Sequence, residues 1–396
     1  MTCPSCGRSV PSGSRICGAC GTVLDTASAA APVAGHPAVA GWGATPPPAR
    51  RRVGPGILAA AIALLLVFAA IGVVAARTVG ARAGARSPEA AATGLLAALD
   101  KQDLDRAGGY LQGSERQLAG VYAERLTRAL ANARNGGATG GSLAAFDLTA
   151  RDLRFRRAAT SGNGGVVVLE AVEGTVGVRG PNGVRIQVPV AEARRQLANQ
   201  TNGAIDSLRL VTVRGADDRW YVWLFASSAE WGRLAGQAGE ADYGLLADDN
   251  RLPGASSPEQ AVRGVLDAAT DGDVAKAADR LVTEEARVAA AYHQPLFNRT
   301  PLGKPGALFG GHPGARVRVQ GLTTRTEQLA DGVVKVYLTG GTLVPSGVPG
   351  ARPEPIGKAM DGKDPAMVVV RQDGTWYPSL LGTLAELAVV QADRAG

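Results

Sequence analysis

The sequence predicts a multidomain chain: a small cysteine-rich ribbon, one transmembrane α-helix, and two α+β domains in which helices pack on a curved antiparallel sheet. Three observations carry this prediction. All four cysteines fall within the first twenty residues. Residues 57–76 form an unbroken apolar run. Beyond it, a pattern that begins Ser-Pro-Glu and later reaches Trp-Tyr occurs twice.

The first element, residues 1–25, holds Cys3-Pro-Ser-Cys6-Gly7 and Cys17-Gly-Ala-Cys20-Gly21. Each C-x2-C turn brings two thiolates onto one metal, and two such turns complete a tetrahedron with Zn–S distances of ~2.3 Å. The segment is too short to bury a core, so bound metal has to supply its folding energy. A redox dithiol is the competing use of a C-x2-C pair, but no βαβ pattern surrounds either one. Residues 26–56 follow, rich in Ala, Pro and Gly, with Pro46-Pro47-Pro48, and read as a flexible linker. His36 and Trp42 stand alone there.

Residues 57–76 read ILAAAIALLLVFAAIGVVAA and carry no charged or hydrogen-bonding side chain. Twenty residues at ~1.5 Å each match a hydrocarbon core of ~30 Å. A buried helix of a soluble domain would show a polar face. A secretory signal would begin near residue 1. The run is therefore read as one retained span, with residues 77–86 as a short linker.

Charge supports a membrane setting. Of the net +7, residues 1–56 hold +4 and residues 77–86 hold +3, so residues 87–396 are neutral. Basic residues at both ends of the span suit anionic head groups. A neutral remainder argues against nucleic-acid binding, which needs a basic face. Arginines on both flanks nearly balance the positive-inside rule. Cysteine placement breaks the tie, because free metal-binding thiols need a reducing compartment. The expected topology has the N-terminus in the cytoplasm and the C-terminal domains outside the plasma membrane.

The two outer domains are set at 87–250 and 255–396, joined at Leu252-Pro253-Gly254. Ser87-Pro88-Glu89 recurs as Ser257-Pro258-Glu259. Ser is a good N-cap, Pro suits the first helical position, and Glu favours a helix N-terminus. Gln260 is placed to complete a capping box with Ser257. Ala92, Leu95, Leu96 and Leu99 align with Val262, Val265, Leu266 and Ala269, the spacing of one buried helix face. Val166–Thr175 aligns with Val333–Thr342, and Arg219-Trp220-Tyr221 with Thr375-Trp376-Tyr377, each as part of a hairpin signature. Helices first and strands later mean α+β. A helical insert at Ala191–Asn199 lengthens the first copy.

The order Ser-Pro-Glu, amphipathic helix, Asp-Leu, Trp-Tyr resembles the NTF2-like, or cystatin-like, superfamily, in which helices form a cone against a curved sheet. The N-terminal C-x2-C pairs resemble bacterial zinc-ribbon modules; by that resemblance Cys3, Cys6, Cys17 and Cys20 hold a structural zinc. The whole layout resembles bacterial zinc-ribbon membrane proteins with such outer domains, among them the teicoplanin-resistance-associated envelope protein family. The resemblance implies a non-enzymatic, single-pass cell-envelope protein whose outer domains bind a protein or an envelope ligand, with a role in sensing or envelope maintenance.

Chemistry-bearing motifs are sparse. The three histidines are His36, His293 and His312, the last two in a stretch read as loop-like. Neither H-E-x-x-H nor G-x-S-x-G occurs. Gly357–Lys363 resembles a phosphate loop, but Asp364 replaces the Ser or Thr that such a loop needs, and no strand is expected before it. Asp271-Gly272-Asp273 reads as a turn between helices. Some NTF2-like proteins are enzymes with a buried carboxylate or His in the cone. Glu170 and Glu173 lie on a predicted strand and could point into the cone, but their opposite parity means that both cannot do so without a bulge; the reading taken is an outward, solvated Glu. Trp220, Tyr221, Trp223, Trp376 and Tyr377 are expected to be sheet aromatics. Two alternatives to a binding protein therefore stand: a membrane-tethered enzyme acting on a small apolar substrate, and a scaffold or assembly factor in a membrane complex. The sequence leaves oligomeric state open.

Overall fold

The computed structural model describes residues 9, 84–101, 103–122, 125, 147–179, 185–236, 240–247, 253–270, 274–296, 316–346, 352–359 and 365–395. All except Ser9 belong to one unit within Val53–Gly396. Cys3, Cys6, Cys17, Cys20, His36, Trp42, the run 57–76 and His312 lie outside the described residues. Among the described residues, no helix is long and apolar enough to cross a membrane.

The described residues form two α+β halves with the same order of elements. The first contains α1 (Pro88–Asp100), α2 (Leu104–Gly108), α3 (113–122), β1 (Asp147–Thr160), β2 (Val166–Arg179), β3 (Arg185–Pro189), α4 (Val190–Gln200), β4 (Leu208–Arg214), β5 (Trp220–Trp223), α5 (Leu224–Ala235) and the short α6 (Tyr243–Leu246). The second contains α7 (Pro258–Thr270), α8 (Val274–Ala278), α9 (Thr283–Leu296), β6 (Arg316–Ala330), β7 (Val333–Ser346), β8 (Glu354–Pro355), α10 (Ile356–Ala359), β9 (Ala366–Gln372), β10 (Thr375–Ser379) and α11 (Leu380–Ala395). The sheets run β1-β2-β4-β5 and β6-β7-β9-β10, all antiparallel, with β3 pairing β2 and β8 pairing β7.

The repeated motifs have repeated jobs. Ser87 caps α1, its Oγ accepting from Ala90 N at 3.1 Å, and Ser257 Oγ accepts from Gln260 N at 3.3 Å. The expected capping box is modified: Gln260 Oε1 accepts from the neighbouring Ser256 hydroxyl at 2.6 Å. Just before each Ser, the chain pairs with the Trp of the Trp-Tyr motif, Ala85 with Trp220 and Ala255 with Trp376. Thus the start of each half is hydrogen-bonded to its last strand. The insert expected at 191–199 is α4, one residue longer at each end. His293, read from sequence as a helix-end or loop residue, falls in the last turn of α9. A two-residue strand, β8, does precede Gly357, which lies in α10.

Both sheets bend at the same place. In β1 the register shifts around Asp152, which has φ +52°, opposite Gly174 with φ +104°. In β6 the register shifts after Gln320, with Gly321 at φ +61° and Gly341 at φ +129°. Bulges of this kind add twist and curve the strand pair. Gly174 has a second reason to lack a side chain, since a Cβ there would lie 2.6 Å from the Asp152 carbonyl oxygen.

Each sheet is apolar on both faces. In the first half, Val167, Leu169, Leu210 and Val222 pack with Ala91, Ala92 and Leu95 of α1. In the second, Val334, Val336 and Val369 pack with Ala261 and Val262 of α7. The opposite faces are covered differently. Val166, Val168, Val211 and Trp223 cluster with Ala226 and Ala229 of α5, but also with Val288, Ala291 and Tyr292 of α9 from the second half. Reciprocally, Val333, Val368, Val370 and Tyr377 cluster with Leu381 and Ala385 of α11 and with Leu118 and Tyr122 of α3 from the first half. Each half therefore lends its third helix to the other.

Replacing Gly174 by Ala is expected to destabilise the chain by ~1–3 kcal/mol, the usual cost of one strained backbone position. A chemical-denaturation series on the wild type and the variant measures this through the shift in midpoint.

Candidate functional site at the seam between the halves

Where α3 and α9 cross between the halves, the fold buries acidic side chains in matched pairs. Glu115 of α3 sits under the N-terminus of α5, accepting from Leu224 N at 2.9 Å and Phe225 N at 2.6 Å. Glu285 of α9 does the same for α11, accepting from Leu380 N at 2.6 Å, Leu381 N at 3.1 Å and Ser379 Oγ at 2.7 Å. A helix N-terminus presents unpaired N–H groups and a partial positive charge, so a carboxylate is the natural partner. Burial nevertheless pushes both groups up, Glu115 to about 8 and Glu285 to about 7, with the N–H donors opposing. Glu284 adds to the rise at both. Glu284 itself is held across the seam, accepting from Gln112 Nε2 at 3.2 Å and from Gln372 Nε2 at 2.8 Å.

A second matched pair lies on the C-terminal helices. Glu230 of α5 is fully buried and binds Arg209 at 2.8 Å and Arg233 at 2.7 Å. It also accepts from Tyr243 Oη at 3.0 Å and, across the seam, from Tyr292 Oη at 3.2 Å. Glu386 of α11 binds Lys335 at 2.7 Å and, across the seam, Arg125 at 2.5 Å in a two-pronged contact. Burial pulls each of these carboxyls up. Arg233, followed by Arg209 and Tyr243, outweighs it at Glu230, and Arg125 and Lys335 outweigh it at Glu386, so both end below the usual carboxylate value. Tyr122 lies beside Glu386, and burial, then that carboxylate, push its phenol up.

The candidates named from sequence fall elsewhere. Glu170 is not solvated as expected: it is buried, on the same sheet face as Val166 and Val168, and bound by Arg156 at 2.8 Å and by Arg194 of α4 at 3.1 Å. It therefore faces away from α1. Glu173 is exposed, paired with Arg154 at 3.1 Å. Tyr221, Trp223 and Tyr377 are buried in the sheets, and Trp220 and Trp376 pack partly buried against the α1 and α7 sides. Among the described residues, no group of three metal-ligating side chains occurs.

Sequence reasoning passed over Glu115, Glu230, Glu285 and Glu386, although a signal was present. Glu115 and Tyr122 recur as Glu285 and Tyr292 at the spacing that separates Ser87 from Ser257. Glu230 recurs as Glu386 at the spacing that separates Trp220 from Trp376. A charged residue repeated in register with an apolar helix face marks a buried, partnered group rather than a solvated one.

The arrangement defines a tandem α+β protein whose halves are pinned by reciprocal helices and buried ion pairs. No family profile, curated protein or solved structure matches this chain.

Stability is expected to depend on pH with two signs. Glu115 and Glu285 have folded values above the ordinary 4.5, so their contribution is full below about 4.5 and is lost as pH rises through about 7 to 8. Glu230 and Glu386 are depressed, so theirs is present above 4.5 and lost as pH falls below it. Thermal melts from pH 3 to 9 should peak near pH 5, and Glu115→Gln should flatten the alkaline limb. Glu230→Gln should cost ~3–5 kcal/mol, because Arg209 and Arg233 then lose the buried carboxylate that both bind; urea denaturation of the variant reads this directly.

Proposed function

We propose that the chain is a non-enzymatic, single-pass cell-envelope protein. In this reading a cytoplasmic zinc ribbon held by Cys3, Cys6, Cys17 and Cys20 is joined by the span at 57–76 to an outer tandem that binds a protein or an envelope ligand. The observation that carries the non-enzymatic part is the filling of the sheet faces. The α1 and α7 sides are packed with Ala, Leu and Val side chains, and the buried glutamates at the seam have their oxygens taken up by helix ends, arginines, a lysine and tyrosines. A general acid or base needs an oxygen within reach of substrate. The membrane and zinc parts rest on the sequence: the uncharged twenty-residue run and the two C-x2-C turns.

Topology is the first test. Single cysteines at Ala30 and Asp331, with the four ribbon cysteines changed to Ser, report which side each segment occupies through a membrane-impermeant thiol reagent on intact cells. Asp331 is exposed in the β6–β7 turn. Gly254 is a poor labelling position, since a Cβ there would lie 2.6 Å from Thr375 Oγ1. Labelling at 331 and protection at 30 is the expected result; the reverse would place the tandem in the cytoplasm. Purified wild-type chain is expected to carry about one zinc per chain, lost in Cys6→Ser and Cys20→Ser, as measured by elemental analysis.

A further inference from the structure

The first half begins close behind the apolar run, and its first residues are fixed in place. Gly84 N donates to Gly109 O at 2.7 Å, and Ala85 exchanges two hydrogen bonds with Trp220, at 2.9 and 2.8 Å. Arg219 Nη1 donates to Gly84 O at 3.2 Å. Gly84 has φ +73°, and a Cβ there would lie 2.7 Å from Tyr221 Cζ. The chain therefore enters the fold at one defined point, beside β5 and the turn that joins β4 to β5.

That point is held near the end of the apolar run. From Ala76, the last residue of the run, to Gly84 is eight residue steps, a reach of at most ~28 Å at ~3.5 Å each. Crossing a head-group layer takes ~5–8 Å of it. The first sheet is longer than what remains. Arg214 N donates to Gly165 O, which puts the β1–β2 turn beside the β4–β5 turn. From Val166, β2 runs nine residues to Thr175, which pairs with Pro189 at the start of α4, a rise of ~30 Å. The tether therefore holds the turn end of the sheet, and the start of α4 lies ~30 Å further along it.

The charges at this end suit a lipid surface. Residues 77–88 contain Arg77, Arg82 and Arg86 and no acid. Arg86 is exposed, directly after Ala85. Arg106, also exposed, sits on α2 three residues before Gly109. The nearby acids are engaged within the fold. Asp217 accepts from Tyr221 Oη at 2.6 Å, Asp218 pairs with Arg214 at 3.2 Å, and Asp103 accepts from Arg106 N at 3.1 Å. Arginines close to a membrane surface are drawn to anionic lipid.

We propose that this end of the first half rests on the anionic head groups of the bilayer that the chain crosses, with Arg86 and Arg106 on the lipid phosphates. The inference rests on the reading of residues 57–76 as a span, and adds to it a face and an orientation. The first sheet then stands on its turns, with α4 directed away from the membrane. Contact of this kind is electrostatic, so it weakens in salt and on lipid without net charge.

For the test, the full chain with its four ribbon cysteines changed to Ser carries one fluorophore, at Ala216→Cys in the β4–β5 turn or at Ala191→Cys on α4, both exposed positions. It is placed in lipid nanodiscs doped with a lipid that bears a nitroxide on its head group, and quenching is read at each position. In discs of phosphatidylglycerol and phosphatidylcholine, quenching at 216 is expected to exceed that at 191 by about three-fold, and the excess to fall by about half in pure phosphatidylcholine and in Arg86→Glu/Arg106→Glu. The tether alone favours 216, so the dependence on lipid charge and on the two arginines decides. The double variant keeps Arg77 and Arg82 and therefore reports on the fold's own arginines; its circular dichroism spectrum and thermal midpoint are matched to wild type first. Equal quenching at the two positions, or an excess unchanged in pure phosphatidylcholine and in the double variant, overturns the inference. Alkaline carbonate extraction of cell membranes separates the two ways to fail. A chain released by carbonate overturns the span and this inference with it, whereas a retained chain with unchanged quenching overturns this inference alone.

Discussion

A sheet that is apolar on both faces must be covered on both, and this requirement organises the tandem. Within each half, α1 or α7 covers one face. The helix after the last strand, α5 or α11, covers part of the other and leaves a strip beside it. The fold fills that strip by exchange: α9 crosses to the first half and α3 to the second. Burial at ~25 cal/mol per Å² makes each crossing favourable. Neither half can keep both faces dry without its neighbour, so the halves form one cooperative body and the junction near Pro253-Gly254 is not a free hinge.

The buried acids follow from that exchange. A crossing helix brings its polar groups into the seam as well as its apolar ones, and each must find a partner there. Glu115 and Glu285 find the N-termini of α5 and α11. Glu230 and Glu386 find arginine, lysine and tyrosine, with one partner in each case coming from the opposite half. Buried ion pairs contribute little net stability compared with apolar packing, but they are costly to leave half-made. Here they act as registers. A one-turn slip of α9 along α5 would strand the Tyr292–Glu230 contact, whereas aliphatic packing alone would tolerate it.

Much of the fold was legible from short-range rules. Ser87-Pro88-Glu89 marks a helix start because capping chemistry is local, and the Trp-Tyr pairs mark last strands because alternation is local. The α4 insert was visible for the same reason. The seam was not visible, because it joins residues far apart in sequence: Tyr292 to Glu230 and Arg125 to Glu386. Leu118 and Tyr122 look like one face of an ordinary helix, and nothing local says that the face belongs to the other half. Glu170 was misjudged for a related reason. A glutamate on a strand usually faces water, but Arg194 arrives from a helix that only the fold brings over it.

The same geometry limits how such a tandem can carry a signal. Two domains on a flexible junction can change their mutual angle at little cost, and a ligand bridging them could exploit that. These halves cannot do so without withdrawing α3 and α9 from each other's sheets and leaving Glu230 and Glu386 short of partners. Separation breaks the Arg125–Glu386 pair, at ~3–5 kcal/mol, and the Tyr292–Glu230 hydrogen bond, at ~1.5–3 kcal/mol, which together consume more than half of the binding energy of a micromolar ligand, about 8 kcal/mol. A ligand with equal affinity for two arrangements shifts neither. A ligand of ordinary affinity would therefore leave the seam closed, and the tandem would respond to it as one rigid body. Any change passed onward would then have to arise at its outer surfaces rather than by movement within it.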